Sequence, residues 1–334
     1  MKLFISDCEG PITLNDNAFE LSSYFIPEGD KFFEIVSKYD DILAEEIKRP
    51  GYQAGNTLKL ILPFLKAYGA TDESMIKYSK DNINLVPNAK HMLKHVSSLM
   101  NSFIVSTSYE HYIKALCDLV NFPFDNTYST KLQLDKYNLP PEEKKKIIEF
   151  RKIILSNPDI ETLDKIFFEE IPKMEIGKIF NDVEIIGSKK KKEITKEIIR
   201  KNNSKKEETL YIGDSITDIE VFRFLRSEGL AISFNGNEFA VKEANIVVIS
   251  PTTDPLIVLS KLHSMCSREE VFEFVKYYCK DPENAIQKYC PEFKNMLKTK
   301  PTIVLPEMVD IDKISERSLE MRKNIRGEKI GGLG

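Results

Sequence analysis

Two pairs of acidic residues follow apolar segments that lie far apart in the chain. Asp7 and Glu9 end the stretch FISDCEG near the start, and Asp214 and Asp218 lie in LYIGDSITD. Burying a carboxylate is costly unless a cation or hydrogen bonds compensate for its charge. Carboxylates are ligands that Mg²⁺ prefers. The two pairs therefore predict a divalent cation site that joins distant parts of the chain.

The acids need a scaffold, and the surrounding sequence predicts alternating strands and helices. Short apolar segments followed by polar or glycine residues predict β-strands at Leu3–Ser6, Phe103–Val105, Leu210–Ile212, Leu230–Ser233 and Ile246–Ile249. Helical patterns lie between or beside them, at Asn88–Met100, Tyr109–Val120, Lys191–Arg200 and Asp218–Ser227. This alternation indicates an α/β fold with a parallel sheet, whose ligands bind beyond the carboxyl ends of the strands.

Long helical segments interrupt this core. Residues 15–84 separate the first two strands by more than an ordinary crossover, so we interpret them as a helical cap domain. A second helical insertion is predicted at about 134–184, within a core formed by residues 1–14 and 85–262. Residues 263–334 are predicted to form a C-terminal helical extension, with helices at Ser267–Cys279 and Ile311–Arg322, an extended TIVLP between them and a loose GEKIGGLG at the end.

The composition excludes several classes of function. A net charge of −4, with 30% charged residues of both signs, argues against nucleic acid or an anionic membrane as a partner, because either favours a basic surface. The five cysteines contain no CxxC pair, so they indicate neither a zinc ribbon nor a disulfide framework. No apolar segment approaches the ~20 residues of a membrane span. We expect a cytoplasmic protein that acts on a small ligand.

Four motifs, in order, resemble those of the haloacid dehalogenase superfamily of phosphatases. They are DCEGP at 7–11, FIVSTS with Ser106, a lysine that begins a helix, and GDSITD. The resemblance implies a Rossmann-like core with a cap inserted after the first strand. The segments LVPNAKHML and GLAISFNGNEFAVKEANIVV are similar to phosphoserine-phosphatase-like members. DxEGP is similar to a group of archaeal proteins labelled subunit R of energy-converting hydrogenase A.

The resemblance also implies roles for individual residues. Asp7 would be the nucleophile, and Glu9 would protonate the leaving group. Lys191, with Lys192 as the alternative, would serve in catalysis and in binding the phosphoryl group. The substrate-binding side chains would be Ser106 and Thr107. The Mg²⁺ ligands would be Asp7, Glu9 through its carbonyl, Asp214 and Asp218.

Glu9 departs from the family pattern, which has an aspartate at this position, and alternative functions follow. The first is a Mg²⁺-dependent phosphatase that hydrolyses a small phosphorylated metabolite through an aspartyl phosphate. The second is an accessory or binding protein with weak or no phosphatase activity, associated with a redox complex through its second-insertion or C-terminal helices. Phosphoryl transfer to an acceptor other than water would use the same residues as hydrolysis.

Overall fold

One twisted sheet forms the centre of the molecule in the computed structural model, which describes residues 2–297 and 299–333. Its strands within these ranges are β1 (Leu3–Ser6), β2 (Asn101–Tyr109), β3 (Thr127–Thr130), β4 (Thr209–Gly213), β5 (Leu230–Phe234), β6 (Ile246–Ile249) and β7 (Thr302–Val304). The strand order is β3-β2-β1-β4-β5-β6-β7. All neighbouring pairs are parallel except β6 and β7, which are antiparallel.

The α-helices of the described residues surround this sheet. They are α1 (Asn17–Phe25), α2 (Gly29–Asp41), α3 (Thr57–Leu60), α4 (Leu62–Ala67), α5 (Asp72–Asn82), α6 (Ala89–Leu99), α7 (Glu110–Val120), α8 (Pro141–Ser156), α9 (Ile160–Asp164), α10 (Ile179–Asp182), α11 (Ser188–Lys201), α12 (Ile219–Leu225), α13 (Glu238–Glu243), α14 (Asp254–Met265), α15 (Arg268–Lys280), α16 (Pro282–Tyr289), α17 (Ile311–Arg326) and α18 (Glu328–Gly331). Two segments, Ile42–Glu46 and Lys165–Glu170, are π-helical, and short 3₁₀ turns include Ile216–Asp218.

The strand sequences are apolar at successive positions because both faces of the sheet are covered. Alternate residues of a strand point to opposite faces. Phe4 packs into the core on one side, whereas Leu3 and Ile5 pack into the core on the other. In β4, Leu210 and Tyr211 divide in the same way. The fold class predicted from the sequence is therefore confirmed, as a mostly parallel α/β sheet with helices on both faces.

Two strands differ from the prediction. The second strand continues past Val105 to Tyr109, so Ser106 lies within β2 and not after it. β3 was not predicted, because its residues TYST are mostly half-buried at the sheet edge and carry few apolar side chains. The segment TIVLP, predicted only as extended, provides β7 at the opposite edge.

The two insertions share one hydrophobic core, which we call the insertion core. It combines residues from the first insertion, such as Phe32 and Phe64, with residues from the second, such as Phe167. The rings of Phe32 and Phe64 lie 4.7 Å apart, and those of Phe64 and Phe167 lie 6.1 Å apart. The first insertion lies between β1 and α6 and the second between β3 and α11, so the chain connects the sheet to the insertion core four times. The domain boundaries given above remain predictions.

The C-terminal extension packs against the rest of the molecule. Residues Glu328–Gly331, predicted to be loose, form α18, so that expectation was wrong. Gly331 is buried, and Ile330 and Leu333 pack against the insertion core. Glycine-rich sequence suggested flexibility, but here the small residue allows close contact, since a Cβ at Gly331 would lie 2.6 Å from the Cα of Lys323. None of the helices among the described residues has the length and apolar character of a membrane span.

Candidate active site

The sheet topology brings the predicted acids together at the carboxyl ends of β1 and β4. Ser6 pairs with Ile212 across these neighbouring strands, so Asp7 and Asp214 emerge side by side. Asp218 follows in the 3₁₀ turn Ile216–Asp218. All three side chains are buried, and one carboxylate oxygen from each lies within 4.8 Å of the others. This is the acid cluster that the sequence predicted from positions about two hundred residues apart.

Two glycines make room for this cluster. Gly10 has φ of 99°, in the region that favours glycine, and a Cβ at this position would lie 2.1 Å from Oδ2 of Asp214. A Cβ at Gly213 would lie 2.3 Å from Cγ of Asp218. Side chains at either position would therefore displace a carboxylate.

Lys191 provides the positive charge at the centre of the acid cluster. Its Nζ donates hydrogen bonds to Oδ2 of Asp7 at 2.6 Å, to Oδ1 of Asp218 at 2.9 Å and to Oγ1 of Thr217 at 3.0 Å. Burial lowers the pKa of Lys191, but the charges of Asp218 and Asp7 outweigh burial and raise the pKa above the usual lysine value. The ammonium is therefore charged at neutral pH. Lys192 instead pairs with Glu220 near the surface, so of the two candidate lysines Lys191 lies in the cluster.

Asp218 holds its neighbours in place through both carboxylate oxygens. Oδ1 accepts from Lys191 and from the hydroxyl of Tyr211 at 2.7 Å. Oδ2 accepts from the backbone amides of Asp214 at 3.0 Å and Ser215 at 3.1 Å. A carboxylate with four donors is well placed to orient Lys191 and the Asp214 backbone.

The Asp7 carboxylate accepts fewer hydrogen bonds than that of Asp218. Its Oδ1 accepts from the backbone amide of Cys8 at 2.6 Å, and its Oδ2 accepts from Lys191. Burial raises the pKa of Asp7 to about 7, while the Lys191 charge acts in the opposite direction. The backbone of the same residue donates to the carbonyl of Ile212 at 2.8 Å, which fixes Asp7 at the end of the sheet.

Glu9 lies at the same cavity, next to the start of α1. Its Oε1 accepts from the backbone amide of Asn17 at 2.6 Å, at the start of α1. Burial raises the pKa of Glu9 well above its usual range, and the charge of Asp16 adds to this effect. A carboxyl group in this environment can hold a proton at neutral pH.

The two predicted substrate-binding side chains lie across the cavity on β2. Ser106 is buried and donates to Oγ of Ser108 at 3.0 Å. Thr107 donates to the carbonyl of Ile186 at 2.9 Å and so connects β2 to the segment before α11. Both residues line the same cavity as Asp7, which has a volume of about 110 Å³.

Two arginines that sequence reasoning missed also enter this cavity. Arg322 and Arg326 lie four residues apart on α17, and their side chains are 5% and 4% exposed. Both donate through Nη1 to Oδ2 of Asp214, Arg326 at 3.2 Å. Burial lowers the pKa of Arg322, although the Asp214 charge opposes this effect. Their i,i+4 spacing places both arginines on the face of α17 that also carries Ile314 and Ser318, but the spacing alone does not show that the charged end of this face is buried.

The donor set suits a hard divalent cation. One carboxylate oxygen of Asp7 lies within 4.8 Å of one of Asp214. The Glu9 backbone carbonyl belongs to the loop that follows Asp7. Oxygen ligands of this kind fit Mg²⁺, which retains several waters in addition to a few protein ligands.

The comparisons with known proteins agree with this architecture. No protein-family model matches the chain, and no curated protein matches it either. Among solved structures, a gene product of Archaeoglobus fulgidus matches with a TM-score of 0.86 and 29% identity, over 100% of this chain and 99% of that one. A substrate-bound phosphoserine phosphatase matches with a TM-score of 0.50 and 16% identity, over 77% of this chain and 96% of the other.

This chain has a haloacid dehalogenase-like fold. The phosphoserine phosphatase likeness, at its low identity, concerns the fold alone. The match to the Archaeoglobus protein spans both chains almost completely, so it includes the insertions and the C-terminal extension. The roles of individual residues in the site are therefore argued from the geometry above.

Proposed function

We propose that the protein is a Mg²⁺-dependent phosphatase that hydrolyses a small phosphomonoester through an aspartyl phosphate on Asp7. The observation that carries this proposal is the contact of the Asp7 carboxylate with the buried Lys191 ammonium, at 2.6 Å, beside a cavity that Asp7, Ser106 and Asp214 line. Phosphoryl transfer needs a nucleophile in line with the leaving oxygen and fixed positive charge around the phosphoryl group. In this proposal Asp7 is the nucleophile and Lys191 supplies fixed positive charge beside it.

Asp7 attacks the phosphorus atom, so a bond forms between its carboxylate oxygen and phosphorus while the bond from phosphorus to the substrate oxygen breaks. Glu9 donates a proton to that leaving oxygen and then accepts one from the water that hydrolyses the aspartyl phosphate. The raised pKa of Glu9 suits this role, because it keeps the proton available at neutral pH. Lys191, Ser106 and Thr107 bind the phosphoryl oxygens.

The metal would be held by Asp7, the Glu9 carbonyl and Asp214, with Asp218 supporting the site through its hydrogen bonds to Lys191 and to the Asp214 amide. When bound, Mg²⁺ neutralises charge on the phosphoryl oxygens and reduces their repulsion by the Asp7 carboxylate. The charge of the lysine acts in the same direction.

The narrower family assignment is also a proposal. A phosphoserine-phosphatase-like member is supported by the order of the four motifs and by the cap placed between β1 and α6. Membership of the archaeal group with DxEGP rests on the residues DCEGP at 7–11 alone. A cytoplasmic location stays a prediction.

The test is a panel of small phosphoesters with Mg²⁺, run on the wild-type protein and on Asp7→Asn. Asparagine has nearly the same shape as aspartate but is a far poorer nucleophile. We expect phosphate release by the wild type and its loss in Asp7→Asn. Release that is unchanged in Asp7→Asn would refute the aspartyl-phosphate mechanism. No release by either protein would instead favour an accessory or binding protein.

A further inference from the structure

The two arginines of α17 are active-site residues that the proposed chemistry does not yet use. Both line the cavity that contains Asp7 and Ser106. They come from the C-terminal extension, whereas the groups assigned to phosphoryl transfer come from the core. Their burial is costly unless the guanidinium charges are compensated, so their position needs a physical reason.

Backbone carbonyls hold both guanidinium groups in place. Nε of Arg322 donates to Gly331 at 3.2 Å. Arg326 donates to the carbonyls of Leu14 at 3.1 Å and Asn15 at 2.6 Å. These contacts fix the orientation of the groups but do not neutralise them. The carboxylate in contact with both is Asp214, whose Oδ2 accepts from each arginine, and the nearby charge of Asp16 also acts on them.

Asp214 can therefore interact either with the two arginines or with a divalent cation in the acid cluster. Its carboxylate belongs to the acid cluster with Asp7. A divalent cation bound there would neutralise part of the negative charge of Asp214. The arginines would then be buried with less compensation. An anion in the cavity restores the balance, and a guanidinium offers several N–H donors in a planar fork that matches phosphate oxygens.

We propose that Arg322 and Arg326 bind the phosphoryl group of the substrate, and that Asp214 is their counter-ion until a divalent cation binds Asp214 and displaces them from it. This inference rests on the proposed phosphatase function. It assigns two further substrate-binding residues, and it makes their interaction with Asp214 depend on whether the metal is bound. In the absence of phosphate, the arginines compete with the cation for Asp214. In its presence, cation and anion support each other's binding.

The test measures two ligands on the same full-length variants by titration calorimetry. The first ligand is Mg²⁺ alone, and the second is inorganic phosphate at saturating Mg²⁺. Arg326→Gln removes one charge from the cavity while keeping a polar side chain. Arg317→Gln is the matched control, because Arg317 lies on the same helix but is exposed and donates to Oγ1 of Thr302 at 2.9 Å.

The two ligands should respond in opposite directions. For Arg326→Gln we expect Mg²⁺ alone to bind about tenfold more tightly, and phosphate with Mg²⁺ to bind about tenfold more weakly, since charge-assisted hydrogen bonds are the stronger ones. Arg317→Gln should leave both affinities unchanged. A purely structural role would weaken both ligands together. That result, or an unchanged Mg²⁺ affinity, would overturn the proposal.

A second measurement does not depend on the folding of a variant. In the wild-type protein, amide hydrogen exchange across α17 should become faster when Mg²⁺ alone is added and slower again when inorganic phosphate follows. If the exchange rates across α17 change with neither ligand, the proposal is also overturned. The outcome is separable from that of the phosphatase proposal. Opposite affinity changes without turnover would refute only the phosphatase, whereas turnover without these changes would refute only the assignment of the arginines.

Discussion

Replacement of Lys191 by methionine is expected to destabilise the protein, because it leaves two buried carboxylates without their shared cation. The ammonium lies 2.6 Å from Asp7 and 2.9 Å from Asp218, and its side chain is 0% exposed. At an effective dielectric constant of about 20, each attraction corresponds to about 6 kcal/mol before the cost of burying the charges. Breaking a buried ion pair typically costs a net ~3–5 kcal/mol, and we expect Lys191→Met to fall in this range.

The assay is urea unfolding at neutral pH, with and without Mg²⁺. The matched control is Lys192→Met, since Lys192 is the next residue and its pair with Glu220 is partly exposed at 29% and 25%. An exposed pair contributes about 1 kcal/mol or less. Mg²⁺ should stabilise Lys191→Met more than it stabilises the wild type, because the cation replaces the missing positive charge.

Two results would refute this reasoning. Lys191→Met could prove no less stable than Lys192→Met, which would mean that the acid cluster does not depend on the lysine. Alternatively, Mg²⁺ could stabilise the wild type and Lys191→Met equally, which would place the cation away from the carboxylates of Asp7 and Asp214.

Two further predictions concern single titratable groups. Glu9→Gln should lower turnover about a hundredfold or more, the usual contribution of a positioned acid, while calorimetry shows nearly unchanged Mg²⁺ affinity because the expected ligand is the backbone carbonyl; an unchanged rate would mean that another group donates the proton. Burial lowers the pKa of His263 to about 4, so the folded protein binds this proton more weakly than the unfolded chain, where the pKa is about 6.5. The free energy of unfolding is therefore highest above pH ~6.5, and about 3 kcal/mol of it is lost as pH falls to ~4. Urea unfolding of His263→Gln should show a smaller decrease over this interval. An equal decrease would mean that His263 does not cause it.

The sheet and the acid cluster could be predicted because their signals are local. An apolar segment predicts a buried strand, and an acid directly after it, such as Asp7 or Asp214, predicts a polar group at the carboxyl end of that strand. A few consecutive residues are enough for both predictions. Lys191 required more information, since four consecutive lysines begin at Lys189. Only the packing of α11 distinguishes them, with Lys191 inward and Lys192 towards Glu220.

The arginines could not be predicted from local sequence. A helix that ends in basic residues is ordinarily read as an exposed end whose charges favour the helix dipole. The inward orientation of Arg322 and Arg326 depends on contacts with residues more than a hundred positions away, such as Asp214, and on carbonyls near Leu14. Such long-range compensation of charge is a property of the tertiary structure, and no periodicity in α17 specifies it.

The shared insertion core limits how the two insertions can move relative to the sheet. A lid joined to its core by two linkers can rotate as a hinge about them, but this unit is joined by four connections, on either side of each insertion. Rigid-body movement then requires backbone dihedral changes in several connections at once. The helices of both insertions should therefore open as one cooperative unit. A longer or more flexible linker at one of the four connections would therefore not free the two insertions from the sheet.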